Sequence, residues 1–275
     1  MICGVSKPDY PLTKPSCLCL PTGDRVAYHH TPGAPPEVLF CGGYTSDMGG
    51  TKALALEDYC RSRARAYTRF DYRGHGASTG RFADGTIGRW RDDALAVVDG
   101  VTAGPLVVVG SSMGGWIMLL VALARPERIR ALIGVAAAPD FTEDLLLPQA
   151  SPAQRRQLDE QGYWLQPSAY GGKPYPVTRA LIEDGRANLL LRAPIGVHCP
   201  VHLLHGQHDP DVPWPTALRL AQQLESEDVT IELLKAGDHR LSTASDLVRI
   251  TAALERLAGS AAPAPVSARA GARPA

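Results

Sequence analysis

A chain of 275 residues can bury a substantial core, and α/β folds of about 200 to 250 residues commonly form one domain. Its 28 Lys and Arg balance its 28 Asp and Glu, so no net field steers it to nucleic acid or an anionic membrane surface; a small-molecule or acyl substrate fits better. The six cysteines (Cys3, Cys17, Cys19, Cys41, Cys60, Cys199) are scattered through a chain that needs no staples and read as reduced thiols, and Cys17 with Cys19 lacks the spacing and the second ligand pair of a zinc site. Residues 1–15 carry Lys7 and Lys14 but neither an apolar run nor an Arg-rich amphipathic pattern, so no secretory or transit segment is expected and the expected compartment is the cytoplasm. Residues 16–20 and 25–29 flank Pro21, Thr22, Gly23 and Asp24, which predicts an antiparallel hairpin at one sheet edge. Beyond it, short runs of Val, Ile and Leu alternate with segments of helical period, the pattern of parallel strands joined by crossover helices. Strands are predicted over 37–41, 66–71, 106–110, 129–136, 201–205 and 230–234, and helices over 52–65, 86–98, 112–124, 215–225 and 242–257. The longest apolar run, 116–124, falls well short of the ~20 residues a membrane helix needs, so no integral membrane association is expected. From 139 to 200 the rhythm breaks: Pro148, Pro152, Pro167, Pro174, Pro176 and Pro194 are expected to prevent long regular elements, and about 140–199 reads as an inserted lid. The expectation is one α/β domain over 1–258, its mostly parallel sheet flanked by helices, and a disordered tail over 259–275, where there is almost nothing to bury.

After the strand ending at Val109 come Gly110, Ser111, Ser112, Met113, Gly114 and Gly115, then an apolar helix. This is a GxSxG turn in strand–turn–helix context: the turn is so tight that positions two residues either side of the serine must lack bulk, and Ser112 projects from its top as a candidate nucleophile. The backbone N–H of Met113, at the helix start, is a candidate donor to an oxyanion. Serine is a poor nucleophile at neutral pH, so it needs a histidine base and an acid to orient that base, in the order Ser, acid, His. The sequence after the strand 201–205 offers Asp209 and Asp211; the HGxxDxxVP spacing favours Asp209. After the next strand, Gly237, Asp238, His239 and Arg240 supply the candidate base His239. His75, in the turn from Asp71 to Gly76, reads as a structural hydrogen-bonding residue near the site, and His205 and His208 flank the acid loop and could support Asp209. The second oxyanion donor belongs after the strand 37–41, where Gly42 and Gly43 precede Tyr44; its N–H is the candidate. No phosphate-loop or dinucleotide pattern is found. Leu145, Leu146, Leu147, Tyr163 and Trp164 could line an acyl pocket or simply cap the sheet.

The segments FCGGYTSDMGGTK from Phe40, FDYRGHGAST from Phe70, GSSMGGW from Gly110, LLHGQHDPDVPW from Leu203, LLKAGDHR from Leu233 and GYWLQPSAYGG from Gly162 together resemble one branch of the α/β-hydrolases. That branch is the mitochondrial palmitoyl-protein thioesterases of animals, also described as mycophenolic acid acyl-glucuronide esterases. FDYRGHG and the serine turn are widespread in the superfamily, whereas GYTSDMGGTK, the VPW after the acid and the DHR around the base are narrower. The resemblance implies an α/β-hydrolase fold and depalmitoylating thioesterase or carboxylesterase activity on a small ester or an acylated protein, with Ser112, Asp209 and His239 on the family's triad positions. It implies no metal and no organic cofactor. The N-terminus departs from the animal proteins, and the Ala- and Arg-rich composition would suit a bacterial cytoplasmic relative. An acyltransferase using the same residues, or a ligand receptor on the same scaffold, are the competing readings.

Overall fold

A computed structural model describes residues 14–168 and 173–259. The hairpin comes first, β1 (Ser16–Cys19) antiparallel to β2 (Arg25–Thr31) with Ser16 opposite Tyr28, and β1 is an outer strand of the sheet. The chain continues through β3 (Ala34–Cys41), α1 (Thr51–Ser62), β4 (Arg65–Phe70), α2 (Ile87–Gly100), β5 (Leu106–Ser111), α3 (Met113–Ala124) and β6 (Ile129–Val135). An insertion follows: a π-helical turn Thr142–Leu146, a single turn α4 (Leu147–Gln149), α5 (Pro152–Gln161), the two-stranded ribbon β7 (Tyr163–Gln166) and β8 (Tyr175–Thr178), and α6 (Arg179–Ala187). The main sheet resumes with β9 (Val201–Gly206), α7 (Pro215–Gln223), β10 (Val229–Leu234) and α8 (Ala244–Gly259). The eight strands lie in the order β1-β2-β4-β3-β5-β6-β9-β10, antiparallel for β1–β2 and β2–β4 and parallel from there on.

The central strands are apolar throughout because helices cover both faces. Val107 and Val109 of β5 join Val38, Phe40, Ile133 and Leu204 against Leu56 of α1 and Ile250 and Leu254 of α8. Leu106 and Val108, pointing the other way, join Leu39, Leu132 and Leu203 against α2, α3 and α7. Each such side chain contributes ~1.5–3 kcal/mol of transfer free energy, so the register of the sheet is firmly specified. That register aligns the carboxyl ends of the strands: Cys41 pairs with Gly110, Ser111 with Val135, Val135 with Leu204, and Gly206 with Leu234. The loops that leave those ends are thereby gathered at one edge of the sheet.

The insertion departs from the expectation of an irregular lid. Pro152 occupies the first turn of α5, where a missing N–H costs nothing, and Ser151 and Gln154 form a reciprocal capping box around it. Pro176 lies in a ribbon of only two strands, where a prolyl position is tolerated. At the other end of the chain, Gly259, expected to begin the tail, is the last residue of α8; residues 260–275 lie outside the described residues. The five described cysteines are free thiols, and Cys3 lies outside the described residues.

Candidate active site

The turn between β5 and α3 holds Ser112 at φ 54° and ψ −121°, a conformation that non-glycine residues reach only when the surroundings enforce it. Three backbone bonds do so: Ser112 N–H donates to the Val135 carbonyl at 3.0 Å, and the Ser112 carbonyl accepts from Gly115 at 2.8 Å and Ala138 at 3.0 Å. The packing also explains the glycines: a Cβ on Gly110 would overlap the Gly114 carbonyl, and one on Gly114 would overlap the Cys41 carbonyl. The serine is therefore held between the ends of β3 and β6.

The structure brings the three residues singled out around Ser112 into one line. His239 Nε2 lies 3.0 Å from Ser112 Oγ, and His239 Nδ1 lies 2.8 Å from Asp209 Oδ2. The second Asp209 oxygen accepts from the N–H groups of Asp211 at 2.9 Å and Val212 at 2.8 Å. His205 Nε2, bonded to the Val212 carbonyl at 2.9 Å, also stands 3.3 Å from Asp209 Oδ2, so His205 supports the acid loop as its position suggests. Burial by itself would raise the Asp209 carboxyl, but hydrogen bonds from His205 and His239, the charge of His239 and the Val212 N–H outweigh it and hold the group well below the usual carboxylate range. Asp209 is thus an ionised, fully buried acceptor facing His239 Nδ1. Asp211, the competing acid, gives its backbone N–H to Asp209 and lines the cavity instead. Asp209, Asp211 and His239 offer ligand atoms within 4.8 Å of one another, but a cation there would displace the bonds that already engage both oxygens of Asp209.

The loop after β3 lies against the serine: a Cβ on Gly43 would come 3.5 Å from Ser112 Cβ. Met113 is the first residue of α3, so its N–H is one of those with no partner inside the helix. His75 is structural, as expected from its turn. Its Nε2 lies 2.6 Å from the Tyr44 carbonyl, and burial lowers its pKa, so the neutral ring donates there. Asp71 ties the same two loops together, accepting from Met48 N–H at 2.7 Å and Ala77 N–H at 2.8 Å. The Tyr44 ring packs on Phe82, Trp90, Phe141 and Tyr175, with centroids 5.1–5.7 Å away, so the loop after β3 is also tied to the insertion. Periodicity carries no signal for that aromatic cluster, because its members come from five separate segments of the chain.

A cavity of about 470 Å³ opens over Ser112 and His239. Phe141, Leu145 and Leu146 of the insertion form part of its apolar wall, along with Tyr175, while Thr45, Ser46, Thr51, Lys52, Arg240 and Ser242 supply a polar part. Of the residues expected either to line an acyl pocket or to cap the sheet, Leu145 and Leu146 line the cavity. Trp164 is buried in the core cluster, Leu147 packs against it, and Tyr163 is exposed.

The model of the alpha/beta hydrolase family matches residues 38–252. The palmitoyl-protein thioesterase ABHD10, mitochondrial, of Mus musculus is 42% identical over 226 residues, covering 81% of this chain and 75% of the mouse protein. Among solved structures, a crystal structure from Agrobacterium vitis S4 superimposes with a TM-score of 0.86 at 41% identity, over 89% of this chain and 98% of that one. Mouse alpha/beta hydrolase domain-containing protein 10 does so with a TM-score of 0.82 at 38% identity, over 89% and 98%. The mouse relative's name places it in mitochondria, in contrast to the cytoplasmic expectation drawn from residues 1–15, of which 1–13 lie outside the described residues. No described helix is long and apolar enough to cross a membrane. The sheet order, the serine turn and these matches together make the chain a hydrolase that belongs to the alpha/beta hydrolase family, on the branch that includes ABHD10.

Proposed function

We propose that the protein is a serine hydrolase that cleaves carboxylic esters or acyl thioesters through an acyl-enzyme on Ser112. The observation that carries this reading is the unbroken hydrogen-bond line from buried Asp209 through His239 to Ser112 Oγ, ending at the floor of the cavity. Asp209 fixes the tautomer in which His239 Nδ1 carries a proton and Nε2 is free to accept one. As Oγ attacks the acyl carbonyl, Nε2 takes its proton, and the backbone N–H groups of Tyr44 and Met113 receive the developing oxyanion. The acyl C–O or C–S bond then breaks, and the proton passes from Nε2 to the leaving oxygen or sulfur, which departs as the alcohol or thiol. Water, giving a proton to the same nitrogen, attacks the acyl carbonyl; the bond to Oγ breaks, Oγ takes the proton back from Nε2, and the carboxylic acid leaves.

The acyl group lies against Phe141, Leu145 and Leu146, so the insertion serves as a lid on a single α/β domain whose last helix ends at Gly259. The activity named for the ABHD10 relatives supports thioesters among the substrates, carried either by a small molecule or by an acylated protein. The test is kcat/KM for matched oxygen esters and thioesters from acetyl to palmitoyl, with wild type beside Ser112→Ala. The expected result is turnover that vanishes in Ser112→Ala, whose fold is retained. Turnover that survives would assign the chemistry to another nucleophile, and acylated Ser112 that passes its acyl group to an acceptor rather than water would make the protein a transferase.

A further inference from the structure

Lys52 is a charged residue of the cavity wall with no part in the chemistry above. It sits in the first turn of α1, where the positive end of the helix dipole disfavours an ammonium and where the helix carries no acidic residue to compensate. A local rule broken inside a site is a reason to look for a use. The side chain reaches across the cavity edge, and Nζ donates to the backbone carbonyl of Arg240, the residue that follows His239. The segment just before Lys52, residues 42–50, carries Tyr44, and the acceptor belongs to the loop that carries the base. One ammonium therefore joins the loop of His239 to the start of α1, the helix that follows the segment carrying Tyr44.

We propose that Lys52 is a positioning residue: its bond to the Arg240 carbonyl locks the His239 loop onto the first turn of α1 and so maintains the alignment of His239 with Ser112. This rests on the reading of Ser112, His239 and Asp209 as the catalytic set. The groups whose charge acts on the ammonium are Arg240 and Asp238 from the base loop and Asp246 from the first turn of α8, with His239 and Asp211 elsewhere on the cavity wall. Burial first, and then the charge of Arg240, lower Lys52 to about 8, while Asp238 and Asp246 oppose the change. Below that pH the tether is a charge-assisted bond; above it the neutral amine makes a bond about half as strong. Alignment, and with it turnover, is therefore strongest below about 8 and weakens as the pH rises through that value.

The experiment compares wild type, Lys52→Met and Lys52→Arg from acid to alkaline pH on two esters with the same acyl group, one with a neutral and one with an anionic leaving group. Lys52→Met should lower kcat about ten- to a hundredfold on both esters with KM little changed, the cost of a small misplacement of a catalytic group, and should show no alkaline fall near pH 8. Lys52→Arg, which stays protonated, should keep most of kcat and also lose that fall, so it carries the test should Lys52→Met fold poorly. Wild-type kcat in Lys52→Met, or an alkaline fall near 8 that persists in all three proteins, overturns the proposal. A loss confined to KM for the anionic ester overturns it too, making the ammonium a substrate contact. Turnover of either ester by Ser112→Ala would instead bring down the underlying catalytic reading.

Discussion

Replacing Asp209 by Asn tests the acid without changing its shape. Asp209 Oδ1 accepts from two backbone donors, Asp211 N–H at 2.9 Å and Val212 N–H at 2.8 Å, so the amide of Asn must direct its oxygen there. Its NH₂ group then faces His239 Nδ1, which lies 2.8 Å from Oδ2 in the parent. Two donors cannot share that contact, so the neutral imidazole moves its proton to Nε2 and points an N–H at Ser112 Oγ, 3.0 Å away. In that tautomer Nε2 cannot take the serine proton. The expected loss is about 10⁴-fold in kcat, the size known for the same change in another Ser-His-Asp enzyme, or ~5.4 kcal/mol at ~1.36 kcal/mol per decade. Asp211→Asn, whose backbone rather than side chain supports Asp209, should stay within a few-fold of wild type. The assay is steady-state hydrolysis of a chromogenic ester at neutral pH, with thermal melting to confirm the fold. Melting carries a second readout. The Asp209 carboxyl is held below its ordinary value, so its contribution to stability is present above that ordinary value and is lost as the pH falls through the folded one. The gap in melting temperature between wild type and Asp209→Asn should therefore close on acidification. Asp209→Asn keeping a tenth or more of kcat, or Asp211→Asn losing as much as Asp209→Asn, would refute the assignment.

Two further perturbations follow from the packing and the buried charge. Gly114→Ala places a methyl group against the Cys41 carbonyl, displacing the loop that begins at Gly42; overpacking of ~1–3 kcal/mol should lower the melting temperature by several degrees and, through the displaced donor, kcat by about 10²-fold, whereas an unchanged kcat would separate that loop from oxyanion binding. Burial raises Asp93 to about 6 despite the Arg73 N–H and guanidinium that bond it, so its contribution to stability is present below the ordinary Asp value and lost as the pH rises through about 6. The stability of wild type relative to Asp93→Asn should accordingly decline between about pH 4 and pH 6.5, by on the order of 3 kcal/mol, and a gap that widens over that range in urea titrations would contradict the burial effect.

The sheet and the candidate triad were legible because each depends on local pattern. Apolar runs such as 106–110 and 201–205 are strands buried on both faces, and the turn leaves no room for a Cβ at Gly110, against Gly114, or at Gly114, against Cys41. The HGxxDxxVP spacing favours Asp209 over Asp211, and in the structure that spacing corresponds to a loop in which Asp209 turns back onto the N–H groups two and three residues ahead. The insertion was less legible. Its prolines read as breakers, yet Pro152 follows an N-cap serine with Gln154 completing the box, a signal visible in Ser151, Pro152, Ala153 and Gln154 that outweighs the count of prolines. Contacts that couple the insertion to the site, such as Tyr44 with Phe141 and Tyr175, join residues nearly 100 or more positions apart and leave no periodic trace. The Lys52 bond to Arg240 is hidden for the same reason: a lysine in a helical segment reads as a solvated side chain until the fold brings it to a distant carbonyl.

The division of labour in the cavity explains why chemistry was easier to read than substrate. Ser112, Asp209 and His239 stand on turns leaving β5, β9 and β10, strands whose relative positions are set by parallel pairing and two buried faces. Residues Phe141, Leu145 and Leu146 stand on the insertion, which is braced internally by the buried Asp140 carboxylate, accepting from Leu190 N–H and Leu191 N–H at 2.8 Å each, and which joins the body through the Asp144–Arg219 pair and through apolar side chains such as Trp164 and Leu181 in the main core. Substitutions in the apolar wall can change which acyl group fits without moving the three strand-end side chains, because sites that share no contacts act nearly additively. Tyr44 is the exception. Its neighbour Gly43 borders Ser112, and its ring packs on both Phe141 and Tyr175, so a change in the insertion that shifts this ring also reaches the proposed oxyanion donor. Acyl selectivity and turnover should therefore separate at Leu145 and Leu146 and stay coupled at Phe141 and Tyr175.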